Sequence, residues 1–468
     1  MPRFLIIKRV INLCKKLLNK DTEQSVDFPI VISRDQHSVS RKYISDNALK
    51  VLYRLQKSGY DAYLVGGGVR DMLLGIEPKD FDIATNATPE QIKKLFRNCR
   101  LIGRRFRLAH IVFGRDIIEV ATFRGHHDSA SKQDKNCTKT SKQSDHGMLL
   151  RDNIYGSIDE DAERRDFTIN ALYYNVGDFK IYDFANGVED IKQRKIRLIG
   201  DPETRYREDP VRMLRAVRFA TKLDMQISAE TEKPIKQLAS LLDHIPAARM
   251  FEEFLKLFIS GKAQANFEML REYGLFKYLF PIVDQALSEE DNETLKSFIH
   301  LALSNTDARI NNDQRVTPAF LLAALLWYPL SRQVSQLKQT TQLTPQDAFF
   351  SALHEVMSEQ QRSIAIPKRF QSPMKDIWIL QDKLSKREGK RAYKTLEHPK
   401  FRAGYDFLLI RGEIEGGDIA LLAKWWTDFQ SATPDVQQMM IKSLPVGRNS
   451  RRTIRKRRKP RTKAAKTD

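Results

Sequence analysis

The spacing of apolar residues divides the chain into a mixed α/β part and a helical part. Apolar positions at helical spacing predict a helix that starts at Asn47 and stops at Gly59, and the apolar run at residues 60–65 predicts a buried strand. Residues 111–123 have the pattern of a strand hairpin. From Asp209 onward strand signals nearly vanish, and apolar stripes bounded by Gly, Pro and Asn predict successive helices. The pattern therefore predicts an α+β fold, with a mixed-sheet head and an all-helical neck and body.

Shifts in composition predict five segments along the chain. Within the head, residues 125–147 contain almost no apolar side chains, which predicts a mobile insertion. In chain order the segments are a basic N-terminal leader (1–44), the head (45–200), the helical neck (201–265), the helical body (266–445) and a disordered arginine-rich tail (446–468).

The net charge of +20 points to a polyanionic partner, either nucleic acid or an acidic membrane surface. Residues 448–468 supply half of this excess, because they hold eleven Lys or Arg and one Asp. The rest of the chain is still basic, so the charge is not confined to an appended tail. A tail this dense in cations is expected to bind phosphates without sequence preference.

The cysteines and the apolar runs indicate a cytoplasmic protein. Cys14, Cys99 and Cys137 are widely spaced and form no C-x-x-C pair, so neither a disulfide framework nor a zinc knuckle is indicated, which fits a reducing compartment. No apolar run approaches the ~18 residues of a transmembrane helix. The N-terminus is basic and amphipathic, with an apolar core too short for a signal peptide. It is compatible with weak contact to an anionic membrane surface, or with a helix that packs on the protein itself.

Two aspartates in the stretch KDFDIAT are candidate metal ligands. The alternation is typical of a strand, and it places Asp80 and Asp82 on one side and Phe81 and Ile83 toward the core. The two Cα atoms then lie ~7 Å apart, and the carboxylates can converge on one cation. Magnesium (or manganese) suits such hard oxygen ligands. The alternative is a pair of surface acids on an edge strand.

A glycine turn precedes these acids in the stretch LVGGGVRD. Gly66, Gly67 and Gly68 allow a sharp turn from a strand into a helix and leave their N–H groups unobstructed, and Arg70 offers a fork for phosphate oxygens. Gly66, Gly67 and Arg70 are therefore expected to bind a triphosphate. The spacing is neither G-x-G-x-x-G nor a Walker A loop, which argues against dinucleotide oxidoreductases and P-loop ATPases. A glycine turn, an arginine and an acid pair within one short stretch suit chemistry on a nucleoside triphosphate such as ATP.

Three motifs resemble those of one enzyme family. They are the GG-x-VRD-x-LLG pattern that ends at Gly75 and is followed by D-x-D, RRDFTINAL at Arg164–Leu172, and REDPVRMLRAVRFA at Arg207–Ala220. In this order they resemble the class II template-independent nucleotidyltransferases, which include CCA-adding enzymes and bacterial poly(A) polymerases. The resemblance implies that the head is a nucleotidyltransferase domain and that the neck and body bind RNA.

The resemblance also implies a role for each acid of the head. Asp80 and Asp82 inherit the role of metal ligands, and such sites commonly use a third carboxylate. Asp166, in the second motif, is the first candidate and would act on the metal or on the ribose. Glu119 is the alternative, since it points away from the core side of its strand; its other interpretation is a structural ion pair. Arg165 is assigned to nucleotide binding.

The third motif is expected to read the base of the nucleotide. Asp209 is a good N-cap for the helix that follows, and Arg212 and Arg215 share one face of that helix. The resemblance implies that Asp209 and Arg212 contact the base edge. Arg215, on the same face, is assigned to nucleotide binding with them. The alternative is an arginine stripe that pairs with the acidic run at residues 159–161.

The head motifs are common to two activities, but other segments favour one of them. Residues 101–113, the insertion, a segment near residue 400 and the tail resemble bacterial poly(A) polymerases. The implied activity is transfer of AMP from ATP to RNA 3′-hydroxyls, largely independent of sequence, in mRNA processing and decay, with RNA-decay proteins as candidate partners. The alternatives are tRNA CCA addition and catalytically silent RNA binding. A phosphohydrolase is disfavoured because its nearest candidate ligands, His126 and His127, lie in the insertion.

Overall fold

The computed structural model describes residues 28–103, 107–125, 141–143, 149–152, 154–289 and 292–444. These residues fall into two units, one ending at Phe280 and the other beginning at Pro281. The predicted tail lies outside the described residues, as do residues 1–27 of the leader and most of the insertion, including His126 and His127. The division into five segments stays a prediction.

An eight-stranded mixed sheet forms the centre of the first unit. Its strands are β1 (Ile30–Ile32), β2 (Ala62–Val65), β3 (Asp82–Thr85), β4 (Cys99–Ile102), β5 (Leu108–Phe113), β6 (Asp116–Thr122), β9 (Leu172–Tyr174) and β10 (Ile181–Asp183). They lie in the order β1-β10-β9-β2-β3-β6-β5-β4. Neighbouring strands are antiparallel except for β3 and β6, which run parallel.

The middle of this sheet follows the alternation in the sequence. Leu64 of β2 and Ile83 of β3 are register partners and both are buried. Val65, Ala84 and Tyr173 belong to one buried core cluster. The centre of the sheet is thus anchored by apolar packing, which fixes the strand register on which the site depends.

Strand β1 joins the sheet although the apolar pattern placed residues 30–32 in the leader. It pairs antiparallel with β10 at the edge of the sheet. A strand of three residues is too short for alternation to be visible, so the apolar pattern contains no sign of it. Two small pairs lie outside the main sheet, β7 (Ser141–Gln143) with β8 (Leu149–Asp152) and β11 (Lys195–Ile196) with β12 (Gln226–Ile227).

Helices complete the first unit. The α-helices are α1 (Asp46–Lys57), α2 (Gly67–Leu73), α3 (Pro89–Leu95), α4 (Ile158–Glu163), α5 (Gly187–Lys192), α6 (Pro202–Glu208), α7 (Val211–Leu223), α8 (Ala229–Glu232), α9 (Ile235–Leu238), α10 (Ala247–Phe258), α11 (Ala263–Glu272) and α12 (Phe276–Leu279). Short 3-10 helices cover Arg34–Gln36, Arg41–Tyr43, Thr168–Asn170 and Ala239–His244. The helix predicted between Asn47 and Gly59 is α1. Ser45 caps it by accepting a hydrogen bond from the Ala48 N–H, and Leu52 and Leu55 are buried. Gly59 follows its end with a φ of +82°.

The second unit is helical throughout its described residues. Its helices are α13 (Pro281–Leu287), α14 (Glu293–Asn311), α15 (Pro318–Leu325), α16 (Trp327–Thr340), α17 (Pro345–Ser363), α18 (Lys368–Ser385), α19 (Lys390–Leu396), α20 (Phe401–Glu415), α21 (Gly417–Ser431) and α22 (Pro434–Lys442). Two buried tryptophans donate to backbone carbonyls of neighbouring helices, Trp378 to Ala323 at 3.0 Å and Trp426 to Leu384 at 2.9 Å. The predicted α+β fold class is confirmed.

None of the helices within the described ranges is long and apolar enough to span a membrane.

Candidate active site

Two acidic side chains lie side by side on neighbouring strands of the sheet. Asp82 begins β3 and is the register partner of Glu119 in the parallel strand β6. Partners in register project from the same face of a sheet, so both carboxylates face one side. Ile118 and Val120 are buried, and Glu119 takes the outward position that the alternation predicts. On β5, Nε2 of His110 lies 3.0 Å from Oε1 of Glu119.

The pKa of Asp82 is raised by its surroundings. Burial and the negative charge of Glu119 raise the pKa of Asp82 to about 6, with a smaller contribution from Asp80 and an opposing effect of the Arg165 cation. An aspartate ordinarily ionises near 4, so the site disfavours the ionised form of Asp82, first through burial and then through the negative charges of Glu119 and Asp80. A cation between them would relieve the repulsion.

Asp80 lies just outside the strand that the sequence predicted for it. Strand β3 begins at Asp82, and Asp80 is exposed in the connection before it. The backbone there approaches the glycine turn, since a Cβ added to Gly68 would lie 3.4 Å from the carbonyl oxygen of Asp80. Within the described part of the chain, no three His, Cys, Asp or Glu side chains are already arranged as metal ligands. The assignment of Asp80 and Asp82 as metal ligands therefore stays a prediction.

Gly66 makes the turn from β2 into α2. Its φ of +72° and ψ of −127° are open to glycine but not to residues with a side chain. A Cβ added to Gly66 would lie 3.6 Å from Nη1 of Arg165, so the turn lies beside that guanidinium. The predicted need for glycine at the turn thus has a structural reason, while phosphate binding by Gly66 and Gly67 stays a prediction.

Arg70 is enclosed by protein partners. It is 3% exposed, its Nη1 donates to Oδ1 of Asn170 at 2.7 Å, and its Nε and Nη2 donate to Oδ1 of Asp71 at 2.9 and 2.6 Å. The bond to Asn170 joins α2 to the 3-10 helix at Thr168–Asn170, and the bonds to Asp71, within α2, fix the orientation of the guanidinium. The predicted contact of Arg70 with phosphate is not tested by this geometry.

Arginines form the other wall of the site. A cavity of about 230 Å³ is lined by Asp82 and Glu119 together with Arg124, Arg164 and Arg165. Burial lowers the pKa of Arg124 despite the nearby Asp161, and burial with the neighbouring cations Arg124 and Arg205 lowers the pKa of Arg164 to about 10. Crowded, partly desolvated guanidiniums favour an anionic ligand between them.

A buried network holds Arg165 in place. Its Nη2 donates to Oδ2 of Asp161 at 3.0 Å and its Nε donates to the Tyr173 hydroxyl at 2.8 Å. That hydroxyl donates in turn to Oδ2 of Asp161 at 2.6 Å. Burial alone would lower the pKa of Arg165, but Tyr173 and Asp161 outweigh it and raise that pKa. The network therefore fixes a permanent positive charge near Asp82.

Asp166 faces a different group of side chains. Nε of Arg215 donates to its Oδ2 at 2.7 Å, Nδ2 of Asn170 donates to its Oδ1 at 3.0 Å, and the Phe167 N–H donates to Oδ1 at 2.8 Å. Burial would raise the pKa of Asp166, but Arg215 and these hydrogen bonds hold it at about 2. Asp166 does not line the cavity that contains Asp82. Its predicted catalytic role stays a prediction, and the structure gives it a clear structural one.

Asp166→Asn is expected to destabilise the protein by roughly 2 kcal/mol at pH 7. The carboxylate stabilises the fold because its pKa of about 2 lies below that of an unfolded aspartate. This contribution is complete above about pH 4 and is lost as the pH falls toward about 2. Urea unfolding at pH 7 measures the change, with the exposed Asp243→Asn as the control. A loss below about 0.5 kcal/mol would contradict the stabilising ion pair.

The expected N-cap role of Asp209 is wrong. Helix α7 begins at Val211 with Pro210 at its N-cap position, and no side chain caps it. The carboxylate of Asp209 instead accepts from both terminal nitrogens of Arg249, at 2.8 and 2.7 Å. A bidentate ion pair with a distant arginine outcompetes a local cap, and sequence spacing gives no sign of it.

The alternative in which Arg212 and Arg215 pair with the acidic run at residues 159–161 is also wrong. Nη1 of Arg212 donates to Oε2 of Glu208 at 2.9 Å and to the Arg205 carbonyl at 2.6 Å, and Arg215 pairs with Asp166. The base-reading role assigned to Asp209 and Arg212 is untested and stays a prediction.

Four residues of the site were not singled out from the sequence. Arg164 stands in the second motif, and Asp161 precedes Arg165 by one helical turn, so both could have been found from spacing. Arg124 and Tyr173 reach the site only through the strand order of the sheet, which no local pattern reveals.

Family models match three parts of the chain. The model described as "Poly A polymerase head domain" matches residues 62–197. The model "Probable RNA and SrmB- binding site of polymerase A" matches residues 224–287, and "Polymerase A arginine-rich C-terminus" matches residues 341–463.

Comparison with individual proteins separates near relatives from distant ones. The chain is 55% identical to a poly(A) polymerase I of Escherichia coli O157:H7 over 457 residues, which cover 96% of this chain and 97% of the relative. It is 39% identical to a CCA-adding enzyme of Lactobacillus helveticus over 222 residues, 47% of this chain and 52% of that enzyme. A solved structure titled "tRNA-processing enzyme (apo form I)" matches 87% of this chain and 99% of its own, with a TM-score of 0.58 and 21% identity, which supports the fold alone.

Proposed function

The chain belongs to the poly(A) polymerase I family, and we propose that the acids and arginines around Asp82 perform its reaction. That reaction is the template-independent transfer of AMP from ATP to RNA 3′-hydroxyls, with release of pyrophosphate. The observation that supports the location most is the cavity that brings Asp82 and Glu119 together with Arg124, Arg164 and Arg165. Acids for a metal and cations for a triphosphate are the two requirements of nucleotidyl transfer.

Asp80, Asp82 and Glu119 are proposed to bind Mg²⁺ or Mn²⁺. Carboxylate oxygens are the ligands that both ions prefer, and the negative charge of Glu119 adds to burial in raising the pKa of Asp82. When bound, the metal ions lower the pKa of the RNA 3′-hydroxyl and neutralise the triphosphate. The chain contributes the shared register of Asp82 and Glu119, which presents both carboxylates on one face of the sheet.

Glu119 is proposed as the third carboxylate in preference to Asp166. Glu119 is the register partner of Asp82 and its charge acts directly on the pKa of Asp82. Asp166 is held by Arg215 and Asn170, and both of its oxygens are already engaged. An acid in that state would have to give up an ion pair to bind a metal, which costs stability. We assign Asp166 to the support of Arg215.

The arginine wall is proposed to bind the triphosphate. Arg124 and Arg164 have lowered pKa values because burial and neighbouring cations disfavour their charge, and phosphate oxygens would reverse that effect. Arg165 is oriented by Asp161 and Tyr173 before any ligand arrives. Such preorganisation lowers the cost of ordering the site on binding.

The nucleotide contacts implied by family resemblance complete the proposal. Gly66 lies beside Arg165 of the arginine wall and Gly67 lies beside Arg70, and there the backbone of both glycines would approach the phosphates. Arg70 would support the turn through Asp71 and Asn170. On the neck, Asp209 and Arg212, with Arg215 one turn further along α7, are proposed to contact the adenine.

Purified protein with magnesium and a labelled unstructured RNA is expected to make a long product ladder with ATP and little product with CTP. The product lengths on a denaturing gel measure this preference. A tRNA that lacks its 3′ end is the comparison substrate. Short additions of both nucleotides, completed on that tRNA alone, would instead indicate CCA addition. No extension with either nucleotide would indicate a catalytically silent RNA-binding protein.

The cellular setting is proposed from composition. The tail at residues 446–468 would add sequence-independent affinity for RNA phosphates, which suits an enzyme that acts on many RNA ends. The sparse cysteines fit the cytoplasm. We place the activity in mRNA processing and decay, with RNA-decay proteins as partners, and the basic leader as a weak contact with anionic membrane surfaces.

A further inference from the structure

A second cavity lies wholly within the helical unit and is not explained by the transfer reaction. Its volume is about 610 Å³, within the range of roughly 300–1,000 Å³ typical of ligand sites. It is bounded by the C-terminal half of α14, the connection at residues 312–317 and helix α20. It lies outside residues 224–287, the segment matched by the RNA-binding family model.

The rim of this cavity carries an excess of positive charge. Four cations line it, Arg309, Arg315, Lys400 and Arg402, against two acids, Asp406 and Glu413, which leaves a net charge of +2. Arg402 is paired, since its Nε lies 2.9 Å from Oδ1 of Asp406. The other three cations form no ion pair within 4.0 Å with any residue that the structure describes. Cations that no neighbouring acid neutralises are available to phosphate oxygens.

The remaining lining suits a base better than a bare phosphate. Asn305, Asn312 and Gln314 line the cavity, and a side-chain amide can both donate and accept a hydrogen bond. Phe320 and Leu409 provide apolar surface, and Leu409 is 37% exposed. Together these features match a nucleotide. The amides can bond the edge of a base, the apolar surface can contact its face, and the cations at the rim can bind its phosphate.

We propose that this cavity binds unpaired nucleotides of the RNA substrate. Single-stranded RNA is the fitting partner, because only an unstacked base presents both its face and its edge to a pocket. The chain as a whole is also strongly basic. The inference rests on the proposed function, since it assumes that RNA is the substrate. It assigns to the helical unit an RNA-binding site that does not take part in the chemistry.

The full-length double variant Arg309→Gln/Arg315→Gln tests the site by fluorescence anisotropy with an unstructured RNA of about 30 nucleotides. We expect its affinity to fall about tenfold, because two phosphate contacts are lost. The double variant Arg362→Gln/Lys383→Gln removes the same charge from exposed positions elsewhere on the helical unit and is expected to change affinity less than about twofold. A second variant, Leu409→Glu, places a negative charge at an exposed position of the cavity and is expected to weaken binding as well.

Extension of a primer of about six nucleotides by ATP is expected to be unchanged in all variants, because the cavity does not take part in the chemistry. This assay therefore distinguishes failure of the inference from failure of the transfer reaction. Equal losses in the two double variants would overturn the inference in favour of diffuse charge. An unchanged affinity in both Arg309→Gln/Arg315→Gln and Leu409→Glu would overturn it outright. Displacement of the long RNA by free AMP at the same affinity in the wild type would overturn it in favour of a mononucleotide site.

Discussion

Asp82→Asn is expected to lower kcat for AMP transfer by at least about 10³-fold while the protein remains folded and binds RNA. The substitution keeps the shape of the side chain and removes the charge that would hold the divalent cation. It leaves the arginine wall intact, so the nucleotide should still bind. Single-turnover kinetics with ATP and a short RNA measure the loss, and Asp116→Asn, at the start of β6 in the same sheet, is the matched control.

The same variant is expected to be more stable than the wild type when no metal is present. Burial and Glu119 raise the pKa of Asp82 to about 6, so the fold disfavours the ionised form. This cost is complete above about pH 6 and disappears as the pH falls through 6 toward about 4, where folded and unfolded states both hold the proton. Urea unfolding in chelator at pH 8 should therefore favour Asp82→Asn, and the difference should vanish below about pH 4. Normal turnover, or a loss of stability at pH 8, would contradict the assignment.

The local parts of this site could be predicted from the sequence. Alternation predicted that Ile83 lies in the core, and the run of glycines predicted a turn at Gly66 before a helix. Both predictions were possible because a strand and a turn each depend on a few consecutive residues. The outward position of Glu119 followed from the same alternation. Each of these features is determined within one element.

The partnerships across the sheet could not be predicted in this way. Asp82 meets Glu119 because β3 and β6 are parallel neighbours, and strand order depends on packing over the whole unit. Asp166 stands in a motif shared with the family, yet its partner Arg215 comes from α7. A motif identifies residues that act near one another, whereas the distribution of ion pairs among them depends on long-range geometry.

Glu119→Gln is expected to lower kcat by about 10²–10³-fold with little change in RNA affinity. The amide side chain of this variant would keep the contact with His110 and lose the negative charge beside Asp82. Because that charge raises the pKa of Asp82, the variant should also shift the acid limb of the rate profile to lower pH. Steady-state kinetics across pH 5–8 at limiting metal, a window of about one to two units around the pKa of Asp82, measure both effects.

Asp166→Asn distinguishes Glu119 from the other candidate for the third carboxylate. If Glu119 completes the metal site, Asp166→Asn should be less stable than the wild type but keep the acid limb of its pH–rate profile. At a temperature where both variants are folded, it should also retain more transfer activity than Glu119→Gln. The opposite ranking, with Glu119→Gln near wild type and Asp166→Asn inactive though folded, would assign the role to Asp166. The first ranking is expected because the charge of Glu119 acts on Asp82, whereas the carboxylate of Asp166 is already bound by Arg215 and Asn170. A bound metal ion would offset the repulsion between Glu119 and Asp82, whereas the charge of Asp166 is already offset by Arg215.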